Sequence, residues 1–255
     1  MIIKKLVVKT GTACSLRCVK CGEFNPYLGE KRFDFNPETL SNDVFRIAKN
    51  VDRINVVHVA GGEPFLHKNL YLFLSYLSVI KNLDIIEVVT NGTIKPPEIM
   101  LELLSALEKR VVVIVSGYGG AGVNQEPVIS ALSEWGINHR INKDMVWKDK
   151  SDVSFKNCNA NELPDIAKQC GSFRPEYFSL INGIITAHCP TSGSILYYLS
   201  LYDKAEGFYF DIRKTDDKDL QRELEKLNVL NFTPMCNWCV PTNKARNCIA
   251  GEQIL

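Results

Sequence analysis

An α/β fold built on a parallel sheet, followed by a small C-terminal appendage, is what this chain predicts. Three observations carry that prediction. Between residues 2 and 142, short apolar runs alternate with helical patterns in strict succession, the signature of strands joined by crossover helices. The run RVVVIVS at 110–116 is apolar enough to be a strand covered on both faces. Beyond residue 150 the alternation weakens, and Asn182-Gly183 lies between two β-rich runs, a strong short hairpin signal.

The elements follow in order. Residues 2–9, IIKKLVVK, read as the first strand. Asn36-Pro37 opens a helix over 38–50. INVVHVA at 54–60 is a buried strand and LYLFLSYLSVI at 70–80 a buried helix. LDIIEVVT at 83–90 is the next strand, and the helix over 97–108 starts at a Pro pair and carries apolar residues at helical spacing. After strand 110–116 comes a helix at about 125–135, ending near Gly136, and INHRIN at 137–142 is a fifth strand. DKSDVSFKNCNANE reads as a connector, YFSLINGIITAHC as the hairpin, and 216–228 as a helix of alternating charge. The tail FTPMCNWCVPTNKARNC has no periodicity. The expected division is a sheet domain over 1–150 and a connector with a hairpin-plus-helix appendage over 151–255.

Composition excludes several classes. The 255 residues carry a net charge of +1, so there is no basic field for nucleic acid. No apolar stretch approaches the roughly 20 residues that span a bilayer, and MIIKKLVVKTG is too short for a signal peptide. A cytoplasmic location with no membrane partner is the expectation, and disulfides are rare there. The nine cysteines are therefore read as metal ligands, reactive thiols or core residues.

Three of them, Cys14, Cys18 and Cys21, sit in TACSLRCVKCGEF just behind the first strand. The spacing would also place them on one face of a helix as a core stripe. Thr10-Gly11-Thr12 before the group and Gly22 after it leave a helix little room, and Arg17 and Lys20 lie inside it. Structural zinc wants four closed ligands, and no fourth is near. Thiolates also bind the irons of a [4Fe–4S] cluster, and three of them leave one iron open to a small molecule.

At CSLRCVKC the chain resembles the radical S-adenosylmethionine (SAM) enzymes, whose hallmark is CxxxCxxC. The resemblance implies a [4Fe–4S] cluster on Cys14, Cys18 and Cys21 whose open iron chelates SAM. It implies cleavage of SAM to a 5′-deoxyadenosyl radical, which takes a hydrogen atom from the substrate. It also implies an external electron donor such as flavodoxin or ferredoxin, and the family's partial (β/α)6 TIM-like barrel over roughly residues 5–145. The residue before the third cysteine, usually aromatic and beside the adenine, is here Lys20.

The ends of the next strands support the reading. AGGEP at 60–64 resembles the family's GGE motif. Gly61 and Gly62, lacking Cβ, let backbone approach a ligand, and Glu63 offers a carboxylate to the SAM ammonium. TNGT at 90–93 and SGYGG at 116–120 put small polar residues at the carboxyl edge of the sheet, where α/β folds bind ligands. Asn91 and Ser116 are the candidate SAM contacts there.

A second cysteine group lies beyond residue 150. The hairpin connects Cys170 to Cys189 and so brings them near each other, and CNWC supplies Cys236 and Cys239. Four thiols from three segments suit zinc or a cluster. The pattern resembles the twitch appendage of radical SAM enzymes, a shortened SPASM domain, which implies an auxiliary [4Fe–4S] cluster. Cys248 is a spare ligand, a hydrogen-atom donor or inert, and Cys158 is inert.

The layout also resembles that of a small alcohol-oxidising member of the family. The expected reaction is a two-electron, dehydrogenase-type oxidation of a small sugar or cyclitol, with the auxiliary cluster accepting an electron. Arg140, Lys143 and Tyr118 are the residues expected on the rim to take the hydroxyl proton. Two other readings stand beside it. One is a peptide-modifying enzyme that forms thioethers or epimerises residues, disfavoured because the first strand starts at residue 2 and leaves no preceding peptide-binding domain. The other is a non-catalytic iron–sulfur or zinc scaffold.

Overall fold

The computed structural model describes residues 1–118, 122–142 and 146–254. Lys143, Gly119 and Gly120 lie outside the described residues. The first predicted strand is split. Its head, β1 (Ile2–Ile3), and its body, β2 (Lys5–Lys9), both pair in parallel with β3 (Arg53–Ala60). Helix α1 (Pro37–Lys49) precedes β3, and Asn36 caps it by accepting from the Thr39 N–H at 2.8 Å. Then come α2 (Leu70–Ser78), β4 (Leu83–Thr90), α3 (Glu98–Ala106), β5 (Val111–Val115), α4 (Glu126–Glu134) and β6 (His139–Ile141). Strands β2 to β6 lie side by side in chain order, all parallel.

After the short strand β7 (Val146–Lys148) and helix α5 (Leu163–Gln169), the predicted hairpin forms from β8 (Tyr177–Ile181) and β9 (Ile184–Ala187). Asn182 at φ 47° and Gly183 at φ 86° make its turn. Helix α6 (Pro190–Leu199), strand β10 (Tyr209–Asp211), helix α7 (Asp217–Asn228) and strand β11 (Asn247–Ile249) follow.

Two expectations are corrected here. The hairpin is not an appendage apart from the sheet: β8 pairs in parallel with β2, from Lys5 opposite Tyr177 to Lys9 opposite Ile181. The sheet therefore runs β10-β9-β8-β2-β3-β4-β5-β6. Nor do six barrel strands follow in chain order. Five do, and the sixth parallel strand, β8, closes on the far side of β2. The cause is burial. Without β8, the apolar strand β2 would be an open edge. Phe178, Leu180 and Ile185 of the hairpin, with Leu220, Leu224 and Leu227 of α7, join the same core as Leu6 and Val8.

Side chains alternate along each strand. Leu6, Val8, Val57, Val59, Ile86, Val88 and Val113 fill the helix-covered face, all fully buried. The opposite face carries Lys5, His58, Glu87 and Arg140, which meet one another across four strands. Among the described residues no helix is long and apolar enough to cross a membrane.

Candidate functional site

The cysteine loop is sewn onto the end of β3. Gly62 N–H donates to the Gly11 carbonyl at 3.0 Å and Glu63 N–H to the Ala13 carbonyl at 2.8 Å. A Cβ on Gly62 would sit 1.9 Å from the Ala13 oxygen, and one on Gly61, at φ 154°, would sit 2.9 Å from the Gly11 oxygen. The two glycines are thus required by the approach of the cysteine loop itself, a constraint the sequence reading did not include, and both also line the cleft.

The loop places Cys14, Cys18 and Cys21 on one cleft, faced by Gly61, Gly62, Asn91, Ser116 and Tyr118. Burial pushes all three thiols above their usual range, so in the free protein they hold their protons. Loading with metal would release those protons. The Asn91 amide donates to Cys14 Sγ at 3.6 Å and to Ser15 Oγ at 2.9 Å.

Glu63 differs from its expected role. Its side chain is fully buried, and its carboxylate accepts from Phe65 N–H (3.0 Å), Thr90 Oγ1 (2.7 Å) and Asn91 N–H (2.7 Å). It ties the end of β3 to the end of β4 and is not among the cleft-lining residues. Gln125, which the sequence reading missed, does the same for the next pair. Its amide nitrogen donates to the Asn91 carbonyl at 2.6 Å and the Ser116 carbonyl at 2.7 Å. Lys20 is not brought into the cleft: its ammonium pairs with Asp149 at 3.0 Å and donates to Ser151 at 3.0 Å.

Behind the cleft lies a charged layer. Glu87 Oε2 meets His58 Nδ1 at 2.7 Å and Lys5 Nζ at 2.9 Å, and its Oε1 accepts from Arg140 at 3.1 Å. The hydrogen bond with His58, then Lys5, holds this carboxyl well below its usual range, at about 2. Arg140 is therefore committed to Glu87 and does not line the cleft, which corrects its expected place on the rim. His58, not singled out in the sequence, does line it. Tyr118 lines it too, packed edge-on against Trp147 with ring centres 5.6 Å apart. Burial, then the neighbouring Cys18 and Cys14, push its phenol far up, so it keeps its proton.

The second cysteine group also meets. Cys170, at the end of α5, Cys189, just before α6, and the turn carrying Cys236 and Cys239 line one cavity with Lys150 and Phe173. Burial raises Cys189 and pushes Cys236 and Cys239 up to about 12. Cys170 is the exception. Burial works to raise it, but hydrogen bonds from Thr242 and Ser172 and the nearby Lys150 bring it below its ordinary value. Cys248 lines neither cavity; it sits on β11 with its thiol on the Trp147 carbonyl. Cys158 stands outside both cavities, its N–H on the Asn237 side chain at 2.7 Å.

Among the described residues no three Cys, His, Asp or Glu side chains converge as a single-ion site. A cluster spreads its thiolates over several irons, so both donor sets, all sulfur and each on one cavity, fit such a group.

A mostly parallel α/β sheet with three thiols on a loop at its carboxyl edge defines the class. Residues 8–118 match the model of the Radical SAM superfamily. GTP 3′,8-cyclase of Geobacter sulfurreducens is 31% identical over 100 residues, 38% of this chain and 29% of that protein. The crystal structure of BtrN in complex with AdoMet and 2-DOIA is similar over 94% of this chain and 93% of that one, with 17% identity and a TM-score of 0.53, a likeness of fold. Streptococcus suis SuiB bound to S-adenosylmethionine is 21% identical over 55% of this chain and 34% of that one, with a TM-score of 0.45. The chain thus spans about a third of the length of the cyclase and of SuiB.

Proposed function

We propose that this protein is a radical SAM dehydrogenase that oxidises a hydroxyl group of a small polar molecule, a sugar or cyclitol. The observation that carries the reading is the pair of thiol-lined cavities, one with three cysteines on an open cleft and one with four. The layout resembles that of 2-deoxy-scyllo-inosamine dehydrogenase, and the BtrN fold likeness over nearly the whole chain supports the same architecture. Bound at Cys14, Cys18 and Cys21, a [4Fe–4S] cluster would supply the electron that cleaves SAM.

This chain's residues supply the rest. Gly61, Gly62, Asn91 and Ser116 form the wall on which SAM would lie. Glu63 and Gln125 hold those strand ends in register. His58 replaces Arg140 and Tyr118 as the proton acceptor. With Nδ1 on Glu87, its Nε2 has no partner among the described residues and is the ring nitrogen left for a substrate hydroxyl. Oxidation of an alcohol removes a hydrogen atom from carbon, a proton from oxygen and one further electron. Cys170, Cys189, Cys236 and Cys239 are the donor set for an iron–sulfur acceptor of that electron.

The test is anaerobic reconstitution with iron and sulfide, reduction, and assay of 5′-deoxyadenosine from SAM. The wild type should form it and the Cys14/Cys18/Cys21→Ala variant should not. Equal formation by both would refute the assignment.

A further inference from the structure

The C-terminal segment Gly251–Ile254 lies as a strap on the cysteine loop. Val19 N–H donates to the Glu252 carbonyl at 2.7 Å, and Ile254 N–H donates to the Arg17 carbonyl at 2.8 Å. Cys18 and Gln253 form an antiparallel bridge between them. Gly251 packs so closely on Tyr118 that a Cβ there would lie 2.2 Å from the ring. Backbone contacts of this density fix where the Gln253 side chain goes.

That side chain is fully engaged. Its Oε1 accepts from Arg17 N–H at 2.7 Å, and its Nε2 donates to Cys18 Sγ at 3.4 Å and to the Gly251 carbonyl. The orientation is forced. Turning the amide over would set its NH2 against the Arg17 N–H and its oxygen against the Gly251 carbonyl, two mismatches at once. The nitrogen must therefore face the sulfur.

We infer that Gln253 is a positioning residue of the radical site: it donates a hydrogen bond to the Cys18 thiolate and raises the potential of the metal centre held there. The inference rests on the reading that Cys14, Cys18 and Cys21 hold a [4Fe–4S] cluster. Hydrogen bonds to ligand sulfur are among the factors that set a cluster's potential. A donor favours the more negatively charged, reduced form, because charge-assisted bonds strengthen with the acceptor's charge. Asn91 gives Cys14 the same kind of donor. Gln253 supplies it from a segment more than two hundred residues away in sequence.

The experiment is a potentiometric titration of reconstituted protein, followed by electron paramagnetic resonance, on wild type, Gln253→Leu and Gln253→Glu. All three are made with Cys236 and Cys239 as Ala, so that only the first site reports. Gln253→Glu keeps the acceptor for Arg17 N–H, and so the strap, but removes the donor to sulfur and adds negative charge. The expected result is about four irons per chain in all three, with a midpoint shifted to lower potential in Gln253→Leu and further in Gln253→Glu. Midpoints unchanged from wild type would overturn the proposal. So would loss of iron from both variants with the circular dichroism spectrum retained, since the residue would then hold the loop rather than tune the centre. If the wild-type background itself takes up no iron, the underlying cluster reading fails, and that outcome is visible before any variant is compared.

Discussion

The two cysteine sites are built by different means from the same side chain. The first hangs on the sheet: its loop follows β2 directly, and backbone hydrogen bonds from Gly62 and Glu63 fasten it to the end of β3. Its thiols face Asn91, Ser116 and Tyr118 across an open cleft. The second is assembled from three segments, a helix end, the residue before a helix and a short turn, and its cysteines line one cavity with Lys150. The difference teaches what each can do. Three thiols on an open wall leave room for a small molecule, while four lining one smaller cavity leave less.

The largest effect that would sharpen this contrast is on the second site. Replacing Cys236 and Cys239 by Ala should remove about four irons per chain while leaving 5′-deoxyadenosine formation from SAM intact. Iron analysis and product chromatography check it. Loss of SAM cleavage in that variant would mean that the two sites are not separable.

Next is Gly62→Ala. Its Cβ would meet backbone, 1.9 Å from the Ala13 oxygen, so the cysteine loop must move. A loss of roughly 3 kcal/mol is expected, or a fall in Tm of about 6–12 °C for a chain of this size. A calorimetric Tm equal to wild type would show that the loop is not fastened as described.

The charged layer behind the cleft gives a pH signature. The folded state holds Glu87 at about 2, against an ordinary value of 4.5. The stabilisation is therefore complete above about pH 4.5 and is lost as the pH falls toward 2. For a side chain only 10% exposed it is of the order of 3 kcal/mol. Glu87→Gln should flatten the stability curve across that interval in chemical denaturation. A curve as steep as that of the wild type would assign the acid sensitivity to other carboxyls.

The smallest expected effect is at Glu63. A Gln there still accepts from Phe65 and Thr90, but its NH2 confronts the Asn91 N–H, at a cost of roughly 1–3 kcal/mol. SAM binding should weaken only through the displaced Asn91. Calorimetric titration that shows unchanged stability with lost SAM affinity would instead restore Glu63 as a direct contact.

The two sites also differ in how far the sequence disclosed them. The first was legible because its residues are local: CSLRCVKC and GGEP are short stretches at strand ends. The mutual arrangement was not. That Gly61 and Gly62 serve the cysteine loop, and that Glu63 faces inward, depend on loop-to-strand contacts with no pattern of their own. Gln125 and Gln253 gave no signal, since one amide among polar loop residues looks like any other. The Asn182-Gly183 turn was read correctly, and with it the approach of Cys170 to Cys189, which now line one cavity. Its partner strand was not: pairing of β8 with β2 joins segments about 170 residues apart and follows from burial of a bare edge, which no local spacing encodes. Arg140 was placed on the right strand, but its partner Glu87 lies two strands away.

The central proposal is two distinct cysteine sites, one on an open cleft with three thiols and one cavity lined by four. The most direct measurement is the metal content and the SAM response of the Cys14/Cys18/Cys21→Ala variant after anaerobic reconstitution, beside the wild type. About eight irons are expected in the wild type and about four in the variant. No zinc is expected, and the cluster spectrum of the variant should be unchanged by SAM. Zinc without iron in the variant, or a spectrum that shifts when SAM is added, would contradict the proposal.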